Sequence, residues 1–306
     1  MTTSIDSVGL IGFGEVGAII GQDLAAQGVR VMAFDRLIED PERRVALQEK
    51  ARICGVILME SLERTIDHVP LIISAVTAGC ALEVARAIAT RHPHGQLFVD
   101  LNSVSPRTKQ LAGEAIEGSG GHYIDAAVMA PVPPQRLKTP ILLGGGQARA
   151  LVGALQPLGF NVRAFSDKVG VASAVKMCRS VMIKGLEALT TECLSAARQY
   201  GVEKPVLESL HQSFPSMGWN ADLPHYLISR VAEHGRRRSE EMIEVAKAVE
   251  EFGIPPRMSQ AIAAVQAGML DAMDEAEIQY CDMVPFDWTY LVDALYGEHV
   301  DPQQKS

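Results

Sequence analysis

The chain of 306 residues is long enough for two domains, and its 47% hydrophobic and 21% charged residues are typical of an ordinary globular protein. A net charge of −9 argues against a nucleic-acid-binding protein, and no apolar run reaches the ~18 residues that a membrane helix needs. Five scattered cysteines without a CxxC pair, and a start without signal-peptide features, favour a cytoplasmic protein with reduced thiols.

The first half of the chain alternates short apolar runs with segments of helical pattern. Helices are predicted over 16–27 and 81–91, and the segment 52–59 is ambiguous. Strands are predicted over residues 7–13, 29–35, 70–77, 96–102, 122–128, 140–143 and 161–165. This rhythm predicts a parallel sheet covered on both faces, the α/β architecture of a Rossmann domain, over residues 1–165.

From residue 166 onward the pattern is helical, which predicts an all-α domain over 166–306. One long helix is expected over 169–200, where proline is absent. On a helical wheel its apolar face carries Val171, Ala174, Cys178, Val181, Gly185 and Leu189. Lys176, Ser180 and Glu187 lie on the opposite face, which we expect to point towards water or a cleft.

A second helical stripe places a charge among apolar residues. Arg238 shares this stripe with Met242, Val245 and Val249. Because an unpaired buried charge is costly, Arg238 needs an anionic partner. The sequence leaves two kinds of partner open, either Glu241 or another acid of the chain, or a substrate carboxylate that the guanidinium holds bidentately.

The strongest motif is a GxGxxG at the turn between the first strand and the first helix, Gly12-Phe13-Gly14-Glu15-Val16-Gly17. In this setting Gly12 permits a tight turn, Gly14 lets the backbone approach a pyrophosphate, and Gly17 lets the helix pack on the strand. A glycine turn without a ligand is the simpler explanation, but the strand–turn–helix context favours a dinucleotide site.

Other residues of the expected site follow later strands. Asp35 ends the second strand, where an acid binds the ribose hydroxyls and disfavours a 2′-phosphate, so we predict NAD. Arg36 follows and would attract that phosphate, which keeps NADP as the alternative. Further residues at strand ends face the same crevice, namely Val76, Thr77, Asn102 and Ser103.

Several of these segments resemble the β-hydroxyacid dehydrogenase superfamily, which includes 3-hydroxyisobutyrate dehydrogenase and 6-phosphogluconate dehydrogenase. The resemblance rests on GLIGFGEVG (9–17), DLNSVSP (100–106), DAAVMAP (125–131) and GVASAVKMCRS (170–180). The segment HGRRRSEEM (234–242) is similar to an uncharacterised C-terminal domain of some relatives of 6-phosphogluconate dehydrogenase.

The resemblance implies roles for individual residues. Lys176 matches the catalytic lysine that transfers the hydroxyl proton, while Ser103, Asn102 and Ser180 would orient the substrate. The chain departs from the family pattern in that Met129-Ala130-Pro131 replaces a Ser-Gly-Gly and Ser180 replaces an asparagine. A second catalytic acid of 6-phosphogluconate dehydrogenase falls on Ile183, so decarboxylation by that mechanism is not expected.

The sequence therefore predicts an NAD(P)-dependent oxidoreductase that oxidises a small anionic hydroxy acid or reduces the corresponding oxo acid. Its cleft is expected between the two domains, and the resemblance implies a homodimer. The alternatives are an imine reductase of the same architecture, which would carry another residue in place of Lys176, and a dinucleotide-sensing protein without turnover. No metal site is predicted, although His92 and His94 flank Pro93 in a metal-like pattern.

Overall fold

The computed structural model describes residues 5–91 and 94–297, so His92 and Pro93 of the metal-like pattern lie outside the described residues. The chain divides into two compact units, Met1–Met177 and Cys178–Ser306. This division falls inside a long helix, whose first turns are grouped with the first unit. Within the described ranges, no helix is both long and apolar enough to cross a membrane.

The described part of the first unit forms one eight-stranded sheet. Its strands are β1 (Ser7–Ile11), β2 (Arg30–Phe34), β3 (Ile57–Leu58), β4 (Leu71–Ser74), β5 (Leu97–Asp100), β6 (His122–Val128), β7 (Ile141–Gly144) and β8 (Val162–Ser166). Their order is β3-β2-β1-β4-β5-β6-β7-β8, and every neighbouring pair is parallel except β6 with β7. The predicted Rossmann architecture is confirmed, with one antiparallel pair added between β6 and β7.

Helices cover both faces of this sheet. They are α1 (Glu15–Ala26), α2 (Pro41–Cys54), α3 (Leu62–Ile66), α4 (Ala81–Ala89), α5 (Pro106–Gly118), α6 (Val132–Gln135) and α7 (Ala148–Leu155). Alternate residues of a strand enter different cores, as in β4, where Leu71 and Ile73 join the core under α1, α2 and α7. Ile72 between them joins the core under α3, α4 and α5. The polar ends of parallel strands β1, β4 and β5 are thereby held at one edge of the sheet.

The second unit is helical, as predicted. Its helices are α8 (Val171–Gln199), which begins in the first unit, α9 (Glu203–Ser213), α10 (Leu223–Glu250), α11 (Arg257–Glu275) and α12 (Trp288–Tyr296). Trp288 lies in its apolar core with Leu194, Val231 and Met269. Gly235 permits the close packing of α10 on α11, because a Cβ there would lie 2.3 Å from the carbonyl oxygen of Gln266.

The predicted apolar face of α8 is wrong. Val171, Cys178 and Leu189 are exposed, whereas the buried residues include Ser180, Lys184, Glu187 and Thr191. Polar residues can be buried here because each charge has a partner on α10: Lys184 Nζ lies 2.7 Å from Glu241 Oε2, and Glu187 pairs with Arg238. Partner charges on another helix thus reverse the orientation that the wheel alone predicts.

Candidate active site

The glycine loop between β1 and α1 has the geometry that the motif predicts. Gly12 has a φ of 90°, and a Cβ at this residue would lie 2.4 Å from the carbonyl oxygen of Ala75. A Cβ at Gly17 would lie 2.1 Å from the oxygen of Gly12, so this residue allows the helix to pack on the turn. A Cβ at Gly14 would meet no atom within 4 Å, which leaves the loop open on that side.

The open side of the loop fits a dinucleotide pyrophosphate. Gly14 is the N-cap of α1 and provides no side-chain cap, while Glu15 and Val16 form the first turn. The first backbone N–H groups of a helix have no partner within the helix and favour anions. The residues of the motif therefore fit the cofactor that the sequence predicts.

Two charged side chains fix this loop from the side of β2 and α2. Asp35 Oδ2 accepts a hydrogen bond from the N–H of Phe13 at 2.8 Å, and its Oδ1 accepts one from the N–H of Leu37 at 3.0 Å. Lys50 Nζ donates to the carbonyl oxygens of Phe13 and Gly14, both at 2.9 Å. The Phe13 ring is buried, and Asp35 and Lys50 engage both backbone polar groups of this residue, so its contact with a cofactor stays a prediction. Arg36 is exposed beside Asp35.

The ends of β4 and β5 are joined by Asn102. Its Oδ1 accepts the N–H of Val76 at 2.7 Å, and its Nδ2 donates to Ser74 Oγ at 3.0 Å. Asn102 is only 5% exposed. Its carboxamide therefore holds together the loops that follow β4 and β5, and it does not project into a cleft. Thr77, which begins a short 3-10 turn after β4, is exposed. The substrate-orienting role of Asn102 stays a prediction.

The structure brings together the two residues on which the predicted chemistry depends. Lys176 Nζ, in the first turns of α8, donates a hydrogen bond to Ser103 Oγ in the loop after β5. These residues are 73 positions apart in the chain, and both are partly buried. An ammonium and a hydroxyl at hydrogen-bond distance can bind one oxygen atom together and exchange a proton with it.

A buried ionic network lies beneath the loop that carries Ser103. Lys109 on α5 is fully buried, and its Nζ lies 3.1 Å from Asp100 Oδ1 and 3.6 Å from Asp125 Oδ1. Asp100 also accepts hydrogen bonds from the N–H of Asn102 at 2.8 Å and from the hydroxyl of Tyr123 at 2.6 Å. Burial, and then the charge of Asp100, raise the pKa of Tyr123 well above 10.0, so the phenol remains a donor.

The same network holds the start of α8. Asp125 Oδ2 accepts the N–H groups of Gly170 at 3.1 Å and Ser173 at 3.0 Å, and the hydroxyl of Ser173 donates to Oδ1. One lysine thus links the carboxylate that fixes the Ser103 loop to the carboxylate that fixes the helix of Lys176. Lys109 is not among the predicted site residues, although it shares an apolar stripe with Ala112 and Ile116, the same signal that identified Arg238.

Met129 contributes to an apolar surface near the lysine helix. It packs, with Val175, against the buried residues Ala127, Leu142 and Ala172. Val175 directly precedes Lys176, so the residue that replaces the family's serine belongs to the same neighbourhood. Ser180 follows Lys176 by one helical turn and is buried in the second unit, and its role towards a substrate stays a prediction.

Arg238 has an acidic partner within the chain. Its Nη1 donates to Glu187 Oε2 on α8, and Gln266 Nε2 on α11 donates to the same oxygen at 3.2 Å. The side chains of Arg238 and Glu187 are only 11% and 2% exposed. Burial lowers the pKa of Arg238 and raises the pKa of Glu187. Of the two partners left open by the sequence, the acid of the chain is therefore present, and it is Glu187 rather than Glu241.

No group of three or more His, Cys, Asp or Glu residues in the described ranges could hold a metal ion.

The fold and the glycine loop together define the class of this protein as an NAD(P)-binding protein of the dehydrogenase type. Residues 7–158 match the family described as the NAD binding domain of 6-phosphogluconate dehydrogenase. Residues 197–269 match a domain of unknown function, DUF1932. The chain belongs to this family of 6-phosphogluconate dehydrogenase-like proteins, and the predicted resemblance is confirmed for both parts of the chain.

Two similar proteins of known structure are themselves uncharacterised. A conserved hypothetical protein from Sinorhizobium meliloti 1021 is 34% identical, with 96% of this chain and 98% of that chain covered and a TM-score of 0.75. A conserved protein of unknown function, described as structurally similar to 3-hydroxyacid dehydrogenases, is 35% identical, with 87% and 97% covered and a TM-score of 0.69.

More distant structures share the fold alone. 3-Hydroxyisobutyrate dehydrogenase of Mycobacterium tuberculosis, solved with L-serine, is 15% identical, with 95% of this chain and 99% of that chain covered and a TM-score of 0.72. A reductive aminase from Aspergillus terreus, solved with NADPH and ethyl levulinate, is 17% identical, with 95% and 99% covered and a TM-score of 0.56.

Proposed function

We propose that this protein is an NAD(P)-dependent oxidoreductase that interconverts a small hydroxy acid and its oxo acid, with Lys176 as the proton-transfer group. The observation that carries the proposal is the hydrogen bond from Lys176 Nζ to Ser103 Oγ. Ser103 follows β5, and the glycine loop follows β1 of the same sheet. The bound nicotinamide supplies the acceptor or donor of the hydride. Everything else in the reaction depends on groups of the chain.

In the oxidation, the neutral amine of Lys176 accepts the hydroxyl proton while the carbon of the substrate loses its hydride and the C=O bond forms. In the reverse direction the ammonium of Lys176 polarises the carbonyl and returns the proton to oxygen. Ser103 donates or accepts a hydrogen bond at the same oxygen and so orients it. The buried network around Lys109 keeps both groups in place, because it fixes the Ser103 loop and the start of α8.

The substrate that this arrangement favours is small and anionic. The cationic form of Lys176 attracts a carboxylate, whereas the surface around Met129 is apolar where the family has a Ser-Gly-Gly. Apolar walls with few polar groups are typical of sites for small molecules. We therefore include hydroxy acids with short aliphatic side chains among the candidate substrates. Arg238 is not assigned to this substrate, since Glu187 already pairs with it.

NAD is the proposed cofactor, and NADP is the alternative. The carboxylate of Asp35 at the end of β2 accepts hydrogen bonds from two backbone N–H groups, which hold it in place beside the glycine loop. A carboxylate in this position can bind ribose hydroxyls and repels a 2′-phosphate. The exposed Arg36 beside it is the residue that would favour NADP.

The protein is proposed to act as a homodimer. The face of α8 that carries Met182 and Leu189 is exposed, at 74% and 58% respectively. Large exposed apolar surfaces commonly mark contacts with another chain. The expected partner is a second copy of this chain.

A substrate panel tests the proposed reaction. Hydroxy acids with NAD or NADP, oxo acids with NADH or NADPH, and cyclic imines with the reduced cofactors are compared by absorbance of the reduced nicotinamide. Turnover of imines alone would favour the imine reductase alternative, whereas dinucleotide binding without any turnover would favour a sensing protein.

Lys176→Met tests the role of the lysine on the substrate that the panel identifies. The variant keeps the length of the side chain but removes the proton-transfer group, so kcat should fall by about 10²-fold or more. Lys176→Arg should also be inactive, since a guanidinium does not release its proton at neutral pH. Lys168→Met is the matched control, because Lys168 is an exposed lysine just before α8. A Lys176→Met variant that kept more than roughly a tenth of wild-type kcat would exclude Lys176 as the essential acid–base group.

A further inference from the structure

Lys50 on α2 contacts the glycine loop but lies outside the GxGxxG motif. Its ammonium donates to two successive carbonyl oxygens, those of Phe13 and Gly14, at 2.9 Å each, and it lies 5.3 Å from the centre of the Phe13 ring. A lysine placed in this way neutralises the two carbonyl dipoles, which would otherwise repel an anion bound at the loop.

Because each peptide bond is planar and trans, the direction of a carbonyl also sets the direction of the N–H that follows it. The carbonyl of Phe13 shares a trans peptide with the N–H of Gly14, and the carbonyl of Gly14 shares one with the N–H of Glu15. In a trans peptide the C=O and N–H bonds point in opposite directions. Lys50 holds the Phe13 carbonyl, and it shares the Gly14 carbonyl with the N–H of Ala18, which donates to the same oxygen at 3.2 Å. While these two carbonyls are held, the N–H groups of Gly14 and Glu15 point away from Lys50.

The loop is open at these two residues. Gly14 and Glu15 are exposed, and a Cβ at Gly14 would meet nothing within 4 Å. Both N–H groups are at the start of α1, where the helix dipole also favours negative charge. Gly12 and Phe13 instead donate their N–H groups to the Phe34 carbonyl oxygen and to Asp35, so the first two residues of the loop are held by β2 and its end.

We propose that Lys50 is a positioning residue for the pyrophosphate of the dinucleotide, acting through the orientation of the Gly14 and Glu15 N–H groups. This inference rests on the proposed dinucleotide function of the loop. It adds a residue outside the GxGxxG motif, supplied by a helix 36 residues further along the chain. Because the pyrophosphate is common to NAD and NADP, the effect should be equal for both cofactors.

The test is titration of the apo protein with NADH and with NADPH, followed by nicotinamide fluorescence. Lys50→Met should weaken the binding of both cofactors by about tenfold or more, because hydrogen bonds to a charged group are lost. Lys50→Arg keeps the charge and the donors and should restore most of the affinity. Arg52→Met is the matched control, since Arg52 is an exposed cation on the same helix that pairs with Glu49.

The possible results separate the two proposals. Equal affinities of wild type and Lys50→Met would overturn the role of Lys50 while leaving the dinucleotide function intact. Equal losses in Lys50→Met and Arg52→Met would show that only the overall charge matters, which also overturns the positioning role. A wild-type protein that binds neither cofactor would overturn the dinucleotide function and the role of Lys50 with it. If Lys50→Met lowers the melting temperature of the apo protein, the same comparison is made with Lys50→Gln.

Discussion

The pair formed by Arg238 and Glu187 allows a prediction of stability that does not depend on the substrate. The side chain of Glu187 is 2% exposed, so Arg238→Ala would leave a carboxylate buried without its cation. Removal of one partner of a buried ion pair typically costs about 3–5 kcal/mol. Gln266, which donates to the same oxygen at 3.2 Å, compensates only part of this loss because it is neutral.

The two tryptophans of the chain make this loss measurable in the helical unit itself. Trp219 and Trp288 both lie in the second unit and are 6% and 3% exposed, so their emission reports the unfolding of that unit. With a urea dependence of roughly 2 kcal/mol per molar, the expected loss lowers the unfolding midpoint by about 1.5–2.5 M. The loss should be smaller at pH 5 than at pH 8, because without Arg238 the pKa of Glu187 rises further and the carboxyl protonates more easily.

Arg236→Ala is the matched control on the same helix. Arg236 pairs with Asp271 and Asp274, but its side chain is 52% exposed, and exposed pairs contribute about 0–1 kcal/mol. A second comparison replaces both buried charges, in Glu187→Leu with Arg238→Met, and should recover much of the stability. If Arg238→Ala and Arg236→Ala unfold at the same urea concentration, the buried pair does not stabilise the protein more than the exposed one. If Arg238→Ala unfolds at the wild-type urea concentration but has a raised KM for the substrate, a substrate contact of Arg238 is favoured instead.

Two further predictions concern the cofactor and the pH dependence of stability. We expect a higher kcat/KM with NAD than with NADP because of Asp35, and the reverse ratio would mean that Arg36 sets the preference. Burial, and then the charge of Arg230, lower the pKa of His234 below 6.5, although Glu233 opposes this effect. Because the unfolded chain then binds the proton more readily, wild type should lose stability relative to His234→Gln as the pH falls from above 6.5 through the lowered pKa. Parallel urea midpoints of the two proteins between pH 5 and 8 would contradict this.

The sequence predicts the frame of the first unit well, since buried parallel strands are continuous apolar runs bounded by polar turns. It identifies β1, β2, β4 and β5 and therefore the edge at which their polar ends meet. It does not identify β3, which has two residues, or α2, which buries only Leu47 and Ala51. Because the sequence does not predict α2, it gives no position for Lys50. The contact of Lys50 with the glycine loop could therefore not be predicted.

The proposed catalytic pair of Lys176 and Ser103 could be predicted only because of the resemblance. No local pattern indicates that a lysine on a helix and a serine in a loop 73 positions away lie close together. The contact between Lys176 and Ser103 depends on the positions of β5, β6 and the start of α8. Lys109 is a different case, because a lysine in the apolar stripe of α5 signals a buried anionic partner. The identity of the partners, Asp100 and Asp125, depends on pairing between β5 and β6, which no local pattern contains.

The reversed orientation of α8 leads to a final prediction about assembly. One face of α8 buries charged residues against partner helices, and the helix also leaves three large apolar residues exposed, Met182, Ile183 and Leu189. Exposed apolar patches commonly mark a contact with another chain, and a stable interface buries roughly 1,200–2,000 Å² in total. Wild type should therefore elute with twice the mass of one chain in size-exclusion chromatography with light scattering. Met182→Glu should shift it towards the monomer, whereas Val45→Glu, at a 69% exposed site on α2, should not. A wild-type monomer at micromolar concentration, or a Met182→Glu variant that stays dimeric, would show that this face of α8 does not join two chains.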